Sequence, residues 1–273
     1  GAALLGMATS YQQALVIYGP GGTGKRQYAE ILHSLFPTGA VASLPPHRWA
    51  ERFDLSHLAG VAVNIVAELP AAELVSTETF KSVIVGDRLT AERKFQDAFD
   101  FRPRAAHVFI ANTLPPTKDL TDAFFRRFVI VPFTRNMISA PGHKKDVGRS
   151  IAQREQAGIA AWAVEGARRL QEQGHYTVPD SGVAALRDWQ RDSDNVAVFL
   201  DEVCTRLAPG ESARLGTPAA RLYAKYKGWA EQSGFKPVSS KTLSQRMQAL
   251  KLGFVKLADA NYYPVRVEVG GES

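Results

Sequence analysis

The 273-residue sequence has little cysteine and no long apolar run, and these absences exclude several classes of protein. A single cysteine, Cys204, excludes an internal disulfide framework, and the six histidines are too scattered to complete a cysteine-based zinc site. No apolar run approaches the ~18 residues of a membrane-spanning helix, and the N-terminal residues lack the length and charge of a secretory signal. We therefore expect a cytoplasmic protein in a reducing compartment, with no membrane partner.

The charge that is present is unevenly distributed along the chain. The net charge is +6, yet residues 1–145 carry 16 basic against 12 acidic side chains, residues 146–203 carry 6 against 10, and residues 204–273 carry 11 against 5. Two basic segments flanking an acidic one suit a polyanion, such as nucleic acid, that is contacted at two places. An ordinary solvated surface would explain each segment separately, so both interpretations stay open.

Short apolar runs in the first half of the chain predict the strands of a mainly parallel sheet. Each run has the length of a buried strand, is rich in Val, Ile and Phe, and is bounded by turn residues. The runs are Ala14–Tyr18, Val61–Ala67, His107–Ala111 and Phe128–Phe133, with Val41–Leu44 as a further candidate. Helical spacing over Lys25–Phe36, directly after a strand and a glycine turn, favours an α/β fold covered on both faces.

The second half of the chain is predicted to be mostly helical. A linker is expected at residues 139–149, and a helix over Ile151–Gln173 follows it. Three further helices and a hairpin then have the order of a winged-helix domain. The helices cover Asn195–Leu207, a segment opened by Thr217 and Pro218 that reaches Gln232, and a segment capped by Ser239 and Ser240 that ends before Gly253; the strands are Phe254–Leu257 and Tyr262–Val269. The predicted organisation is a core domain at 1–140, a helical linker region at 141–194 and a winged-helix domain at 195–273.

A glycine-rich segment between the first predicted strand and helix has the G-x-x-x-x-G-K pattern of a phosphate-binding loop, or P-loop. Glycines let the backbone wrap around phosphate oxygens, the exposed amides and the helix dipole attract the anion, and the lysine reaches the β- and γ-phosphates. The residues expected to bind nucleotide are Gly19, Gly21, Gly22, Thr23, Gly24, Lys25 and Arg26.

Arg26 departs from this pattern, because a serine or threonine at its position normally offers a hydroxyl to Mg²⁺. An arginine cannot ligate a metal ion, and its charge next to the ion should weaken metal binding. Thr23 lies inside the loop and lacks the geometry of the usual ligand. The sequence therefore supports nucleotide binding better than hydrolysis.

Four later side chains suit phosphoryl chemistry. Glu68 follows a predicted strand, where it could polarise an attacking water or hold a metal ion through water, and Asn112 follows another, where it could orient that water or contact the γ-phosphate. Arg126 and Arg127 precede the last strand, a position suited to an arginine finger inserted into a neighbouring subunit's nucleotide. A solvated loop for Glu68, a turn for Asn112 and a structural salt bridge for Arg126 are the competing interpretations.

The order of phosphate loop, strand-Glu, Lys81 segment, strand-Asn and Arg-Arg-strand resembles the superfamily 3 helicases, in particular the helicase half of phage and plasmid primase–helicases. The likeness is carried by Phe80–Phe95, Ile110–Pro116, Phe125–Phe133, Leu222–Tyr226 and Trp229. The resemblance implies an AAA+-like P-loop ATPase with a C-terminal winged helix, which uses ATP and Mg²⁺ and assembles into a homo-oligomeric, hexameric ring. It also implies action on single-stranded or forked DNA during replication of a phage, plasmid or integrated mobile element, in a bacterial or phage-infected cell, with a primase domain or protein as a further partner.

The same resemblance implies roles for individual residues of the core. Lys25 would bind phosphate, Glu68 would be the acidic residue after the strand, and Asn112 would be the polar sensor. Of the two adjacent arginines, Arg127 rather than Arg126 is the expected finger.

The resemblance also implies where DNA is contacted. A β-hairpin over Arg88–Phe101 would point into the channel of the ring, with Arg88, Arg93 and Lys94 on the DNA backbone and Lys81 supporting them. A balanced, exposed ribbon is the alternative for this hairpin. The third helix of the C-terminal domain would offer Lys241 and Arg246 to duplex DNA, with a protein-contact surface as the equal alternative.

Two other functions stay open besides a helicase. One is a nucleotide-gated DNA-binding replication-initiation factor whose hydrolysis is weak or lost because of Arg26. The other is a related ring ATPase of the loader or transposition-helper kind, which is disfavoured because such proteins usually lack the Lys81–Lys94 segment and the terminal winged helix.

Overall fold

The computed structural model describes residues 1–70, 77–115, 117 and 119–267. The chain divides into two compact units, Gly1–Trp189 and Gln190–Ser273. Two predicted features extend beyond the described residues: Pro116, at the end of one helicase-like stretch, and positions 268 and 269 of the last predicted strand. Within the described part, no helix combines the length and apolar character that crossing a membrane requires.

The first unit alternates strands and helices. Its strands are β1 (Ala14–Tyr18), β2 (Val41–Ala42), β3 (Val63–Val66), β4 (Leu89–Ala91), β5 (Phe99–Phe101), β6 (Ala106–Ala111) and β7 (Phe128–Pro132). Its helices are α1 (Lys25–His33), α2 (Thr77–Val85), α3 (Asp122–Phe125), α4 (Val147–Arg154), α5 (Gln156–Gln173) and α6 (Asp180–Ser193), the last of which continues past the end of the unit.

Five of these strands form one parallel sheet in the order β2-β3-β6-β1-β7. The apolar runs predicted as strands are confirmed, and the fifth candidate is the short edge strand β2. Successive side chains of β1 and β6 alternate between two buried clusters, with Val16 and Phe109 in one and Ile17 and Ile110 in the other. Because both faces of the sheet are covered, the strands are apolar almost without interruption.

One polar ring, His107, is buried in the middle of this sheet. Its Nδ1 lies 3.3 Å from the side-chain nitrogen of Asn64, and its ring centre lies 4.8 Å from that of Trp49. Burial lowers the pKa of His107 to about 3, because the protonated ring would lose its hydration without gaining a counter-ion. His107 is therefore a neutral part of the core at physiological pH.

The predicted helix over Ile151–Gln173 is wrong in its extent, because the structure has two helices there. Helix α4 begins at Val147, inside the predicted linker, and the chain leaves helical geometry at Glu155 with φ −123° and ψ 22° before α5 begins. Close packing on α1 explains the early start. Gly148 donates its N–H to Oε1 of Gln27 at 2.7 Å, and a β-carbon at position 148 would lie 2.4 Å from the carbonyl oxygen of Gln27.

Between residues 195 and 267, the second unit is built from three α-helices and short antiparallel strands. The elements are α7 (Asn195–Val203), β8 (Cys204–Arg206), β9 (Thr217–Pro218), α8 (Ala219–Gln232), α9 (Ser240–Ala249), β10 (Val255–Lys256), β11 (Asn261–Tyr263) and β12 (Val265–Val267). The strands form a sheet of order β10-β11-β9 and a separate β8–β12 pair. Their side chains and those of the helices enclose one apolar core around Phe199, Tyr226 and Met247. The predicted hairpin is present as β10 and β11, but its second predicted strand, Tyr262–Val269, is divided at Pro264 into β11 and β12, and β12 pairs with β8.

Several boundaries in this unit differ from the prediction. The predicted helix Asn195–Leu207 ends at Val203, because the backbone becomes extended at Cys204 and residues 204–206 pair with β12 as strand β8. Thr217 does not cap α8, since it lies in β9 and its hydroxyl donates to the carbonyl of Val265 at 2.7 Å. Pro218 precedes the helix with ψ 140°, so α8 begins one residue later than expected. The cap of α9 is as predicted: the Ser239 hydroxyl accepts the N–H of Thr242 at 3.2 Å.

Candidate functional site

A pocket of about 1130 Å³ lies where the carboxyl ends of β1, β3 and β6 meet the start of α1. Loops that follow neighbouring parallel strands converge at this edge, which is where open α/β sheets bind ligands. The pocket is lined by residues 21–28, by Ala67 and Glu68, by Ala111 and Asn112, and by residues 137, 138 and 140–147, together with Ile31, Ile110 and Phe133. The glycine loop, Glu68 and Asn112 are thus brought together as the sequence predicted.

The conformation of the loop explains its glycines. Gly22 and Gly24 have φ of 80° and 87°, in the left-handed region that favours glycine. Gly19 has φ 147°, and a β-carbon there would lie 2.0 Å from the carbonyl oxygen of Phe133. The loop therefore turns tightly at two positions and presses its first residue against the chain that leaves β7.

Lys25 is held inside this loop. Its Nζ donates to the carbonyl oxygens of Gly19 at 2.6 Å and Pro20 at 2.8 Å, and the residue is only 7% exposed. Burial lowers the pKa of Lys25 from its ordinary value. The result is a preoriented ammonium group beside the loop amides and the N-terminus of α1, an arrangement that attracts a polyanion.

The residues present do not fit the Mg²⁺ ion that such loops usually hold. Arg26, at the position of the usual hydroxyl, is exposed and lines the pocket. The Thr23 hydroxyl is buried and donates to the carbonyl of Pro20 at 3.0 Å, so it faces into the loop. Among the described residues, no group of three or more His, Cys, Asp or Glu side chains could hold a metal ion by itself.

Glu68 and Asn112 approach the pocket from neighbouring strands. Both side chains are exposed and line the pocket. Their strands stay together at this edge, since the N–H of Leu69 donates to the carbonyl of Ile110 at 2.6 Å. A carboxylate and an amide placed side by side can orient and polarise a water molecule.

Sequence reasoning missed the segment that follows β7. Residues 139–149 were expected to be a linker, yet Met137, Ile138, His143, Lys144 and Lys145 line the pocket. The N–H of Met137 donates to the carbonyl of Gly22 at 2.8 Å, which fastens the segment to the glycine loop. The adjacent lysines were the one available signal, and only the folded chain places them near the loop.

Arg126 and Arg127 lie at the opposite edge of the sheet from this pocket. They precede β7, and the N–H of Ala14, at the start of β1, donates to the carbonyl of Arg127 at 2.7 Å. Arg127 is 7% exposed and its guanidinium donates to the carbonyl of Ala123. Burial, and then the nearby charge of Arg126, lower the pKa of Arg127. Arg126 is exposed, so of the two it has the geometry of a group that reaches another molecule.

The predicted hairpin exists as the antiparallel pair β4–β5. Arg88 forms an ion pair with Asp100 at 2.6 Å, and the guanidinium of Arg93 lies 4.8 Å from the ring centre of Phe99. Lys94 is exposed. Arg93 and Lys94 lie in the turn between the two short strands, whereas Arg88 lies at the base of the hairpin.

Phe95 directly follows Arg93 and Lys94 in the turn of the hairpin and was not singled out from the sequence. Its side chain is fully exposed, at 104% of the reference area, and its φ is 62°. A phenylalanine held away from every neighbour at a turn is unusual, because aromatic rings dominate cores and interfaces. The hairpin therefore presents an exposed aromatic ring next to two cations, Arg93 and Lys94, a combination suited to stacking on nucleobases.

Two further basic surfaces lie in the two units. At the base of the hairpin, a cleft of about 740 Å³ is lined by Arg88, Arg102 and Arg104, of which only the first was predicted to bind DNA. Lys81, by contrast, is engaged in an ion pair with Asp119 at 2.6 Å, consistent with a supporting role.

On α9 of the second unit, Lys241 is exposed and Arg246 is half-buried, while Leu243 and Met247 are buried. Tyr226, on α8, is fully buried and therefore belongs to the core of the unit.

Comparisons with known proteins match both units. The model of a family described as "Family of unknown function (DUF5906)" matches residues 17–127, and a model described as "Poxvirus D5 protein-like" matches residues 191–262. No curated protein sequence matches the chain.

Solved structures give the fold. An apo structure of the NrS-1 C-terminal region aligns with 14% identity and a TM-score of 0.53, over 96% of this chain and 68% of that one. A second apo structure of that region aligns with 13% identity and a TM-score of 0.53, over 98% and 70%. A JCV helicase structure aligns with a TM-score of 0.34 and 14% identity, over 92% and 60%, which is too low a score to establish a common fold. The chain thus shares its fold with the NrS-1 C-terminal region.

Proposed function

We propose that this protein is an ATP-dependent DNA helicase or translocase of the superfamily 3 type, acting in replication of a phage, plasmid or integrated mobile element. The observation that carries the proposal is the pocket in which a glycine loop with a preoriented lysine faces a carboxylate and an amide from two neighbouring strands. The Poxvirus D5 protein-like match in the second unit and the sequence resemblance support the same class.

The chemistry follows from the groups in the pocket. Lys25 and the loop amides bind the β- and γ-phosphates, and the helix dipole of α1 adds to that attraction. Glu68 accepts a proton from, or orients, the water that attacks the γ-phosphate, and Asn112 holds that water or the phosphate in line. A divalent ion would neutralise phosphate charge when bound, but the side chains here do not fit it, so no step is assigned to it.

The position of the arginines favours an oligomer, and we propose a hexameric ring. Arg126 cannot serve its own pocket, because β7 separates the two edges of the sheet. An exposed arginine at that edge serves catalysis only if a neighbouring subunit places its nucleotide there. Arg127 is buried in its own subunit, so its proposed role is to hold this edge of the sheet in place, and Arg126 is the proposed arginine finger.

The hairpin and the second unit are the proposed contacts with DNA. Lys94 and Arg93 bind phosphates, Phe95 stacks on a base, and the basic cleft with Arg102 and Arg104 extends the path of the backbone. The second unit is interpreted as a winged helix whose helix α9 offers Lys241 and Arg246 to duplex DNA.

Nucleotide affinity and ATP turnover, with and without single-stranded DNA, test this function. Lys25→Ala should abolish binding, whereas Glu68→Gln should keep affinity and lose turnover by about 100-fold or more, since it removes a base and leaves the binding loop intact. Lys225→Ala, an exposed lysine on α8, is the matched control and should change neither. If Lys25→Ala binds ATP as well as the unmodified protein, the pocket is not a nucleotide site.

A second candidate function is favoured by Arg26. The protein would then be a nucleotide-gated DNA-binding initiation factor that binds ATP and turns it over slowly. The two functions differ in one measurement: a helicase shows DNA-stimulated turnover in the unmodified protein, whereas the initiation factor shows nucleotide-dependent DNA affinity with little turnover, and Arg26→Ser raises its turnover strongly.

A further inference from the structure

The pocket is unusually rich in cations for a site that is expected to share its ligand with a metal ion. Five cationic or titratable basic side chains line it: Lys25, Arg26, His143, Lys144 and Lys145. The carboxylates that line it are Glu68 and Asp146. The balance of fixed charge therefore already favours a polyanion without any added ion.

Arg26 lies where the metal would be bound. It is the second residue of α1, directly after the lysine that the loop encloses, and its side chain is exposed to the pocket. In the described part of the chain it forms no ion pair, so its guanidinium can form hydrogen bonds to a ligand. A guanidinium presents a planar fork of donors that matches two phosphate oxygens, which a hydrated divalent ion at the same place would otherwise neutralise.

The segment after β7 adds further positive charge to the pocket. Met137 fastens this segment to Gly22, and Lys144 and Lys145 line the same pocket a few residues later. The chain then enters α4, which packs on α1 through Gly148, so the lysines lie between two fixed points. Polyphosphate bound in the loop would therefore meet cations from two separate segments.

We propose that this pocket binds nucleoside triphosphate as the metal-free anion, with Arg26 taking the place of the divalent cation and Lys144 and Lys145 completing the neutralisation of the phosphates. The proposal rests on the proposed function only in that the ligand is a nucleotide. Two positive groups cannot share one phosphate position without repulsion, so excess Mg²⁺ does not tighten binding and competes weakly with Arg26.

Titration of a fluorescent N-methylanthraniloyl-ATP with the full chain, in EDTA and in excess Mg²⁺, tests the proposal. The unmodified protein should show affinities within about threefold of each other in the two buffers, because arginine and lysine carry the phosphate charge. Arg26→Ser should bind at least about tenfold more weakly in EDTA and regain affinity with Mg²⁺, since the hydroxyl restores a metal ligand. Lys144→Ala combined with Lys145→Ala should weaken binding in EDTA by severalfold.

Controls separate this inference from the proposed function. Arg187→Ser, at an exposed arginine of α6 outside the pocket, should leave affinity unchanged in both buffers. If the unmodified protein binds only with Mg²⁺, the inference is overturned while the nucleotide site stands. If it binds in neither buffer and its thermal unfolding shows a folded chain, the proposed function and the inference both fail. If Arg26→Ser binds as tightly in EDTA as in Mg²⁺, as the unmodified protein is expected to do, the role given to Arg26 is overturned.

Discussion

The position of Arg126 leads to a prediction about two defective subunits that restore each other. Between Arg126 and the nucleotide pocket lies β7, whose five residues span about 16 Å at about 3.3 Å per residue. An extended arginine side chain reaches only about 7 Å beyond its Cα atom. Arg126 therefore cannot touch the nucleotide bound by its own subunit, and its catalytic effect requires the pocket of a neighbour.

Arg126→Ala and Lys25→Ala should each abolish turnover. Each removes one of two groups that a single site takes from two different subunits. In a one-to-one mixed ring, each site needs Lys25 from one subunit and Arg126 from the next, so about one quarter of the sites are complete. The two variants would be co-expressed with different affinity tags, purified over both, and assayed for phosphate release. We expect about a quarter of the unmodified turnover, where each variant alone gives close to none.

Two outcomes would contradict the role given to Arg126. The mixed ring could show no more turnover than the two single-variant rings added together. That result would mean either that Lys25 and Arg126 act within one subunit or that Arg126 has no part in catalysis. Full turnover of Arg126→Ala alone would also show that Arg126 has no part in catalysis.

Arg127→Ala should affect stability. Because the guanidinium of Arg127 is buried and hydrogen-bonded to Ala123, its loss should lower the free energy of unfolding by about 1–3 kcal/mol, and urea titration measures that change.

Two other expectations concern DNA contact and pH. Phe95→Ala should weaken single-stranded DNA binding by about 1–3 kcal/mol without changing its salt dependence, whereas Lys94→Ala should reduce the slope against log salt by about one unit; fluorescence anisotropy at several salt concentrations decides between stacking and charge. His107 has a folded pKa of about 3 against 6.5 when unfolded, so its contribution to stability is complete above about pH 6.5 and is lost as the pH falls towards 3. The free energy of unfolding should drop by about 1.4 kcal/mol per pH unit in that window, and urea titrations of His107→Phe should show a shallower slope; an unchanged slope would assign the effect to other groups.

The sheet and the glycine loop could be predicted because local sequence determines them. Strands that are buried on both faces must be apolar throughout, so β1, β3, β6 and β7 are visible as runs of Val, Ile and Phe. The loop needs glycine where φ is positive, and its neighbours on each side are a strand and a helix. From these, the meeting of Lys25, Glu68 and Asn112 at one edge follows from parallel strand order.

The remainder depends on contacts between distant parts of the chain. The hydrogen bond from Met137 to Gly22 holds the segment after β7 against the pocket. No periodicity or motif in the sequence predicts this contact. Arg126 and Arg127 are adjacent, so residue type cannot say which one the end of α3 buries. Phe95 is exposed although its hydrophobicity predicts burial, because a short hairpin leaves its turn without a neighbour in the first unit.

Gly148 gives the site a mechanical connection to the rest of the first unit. There is no room for a side chain at Gly148 between α4 and the backbone of Gln27, so α4 packs directly against α1. Gln27 itself lines the pocket. A ligand that shifts the start of α1 must carry α4 along as one body, and α5 begins only two residues after α4 ends. We therefore expect a displacement of the phosphate-binding loop to reach, through this contact, a helix of 18 residues.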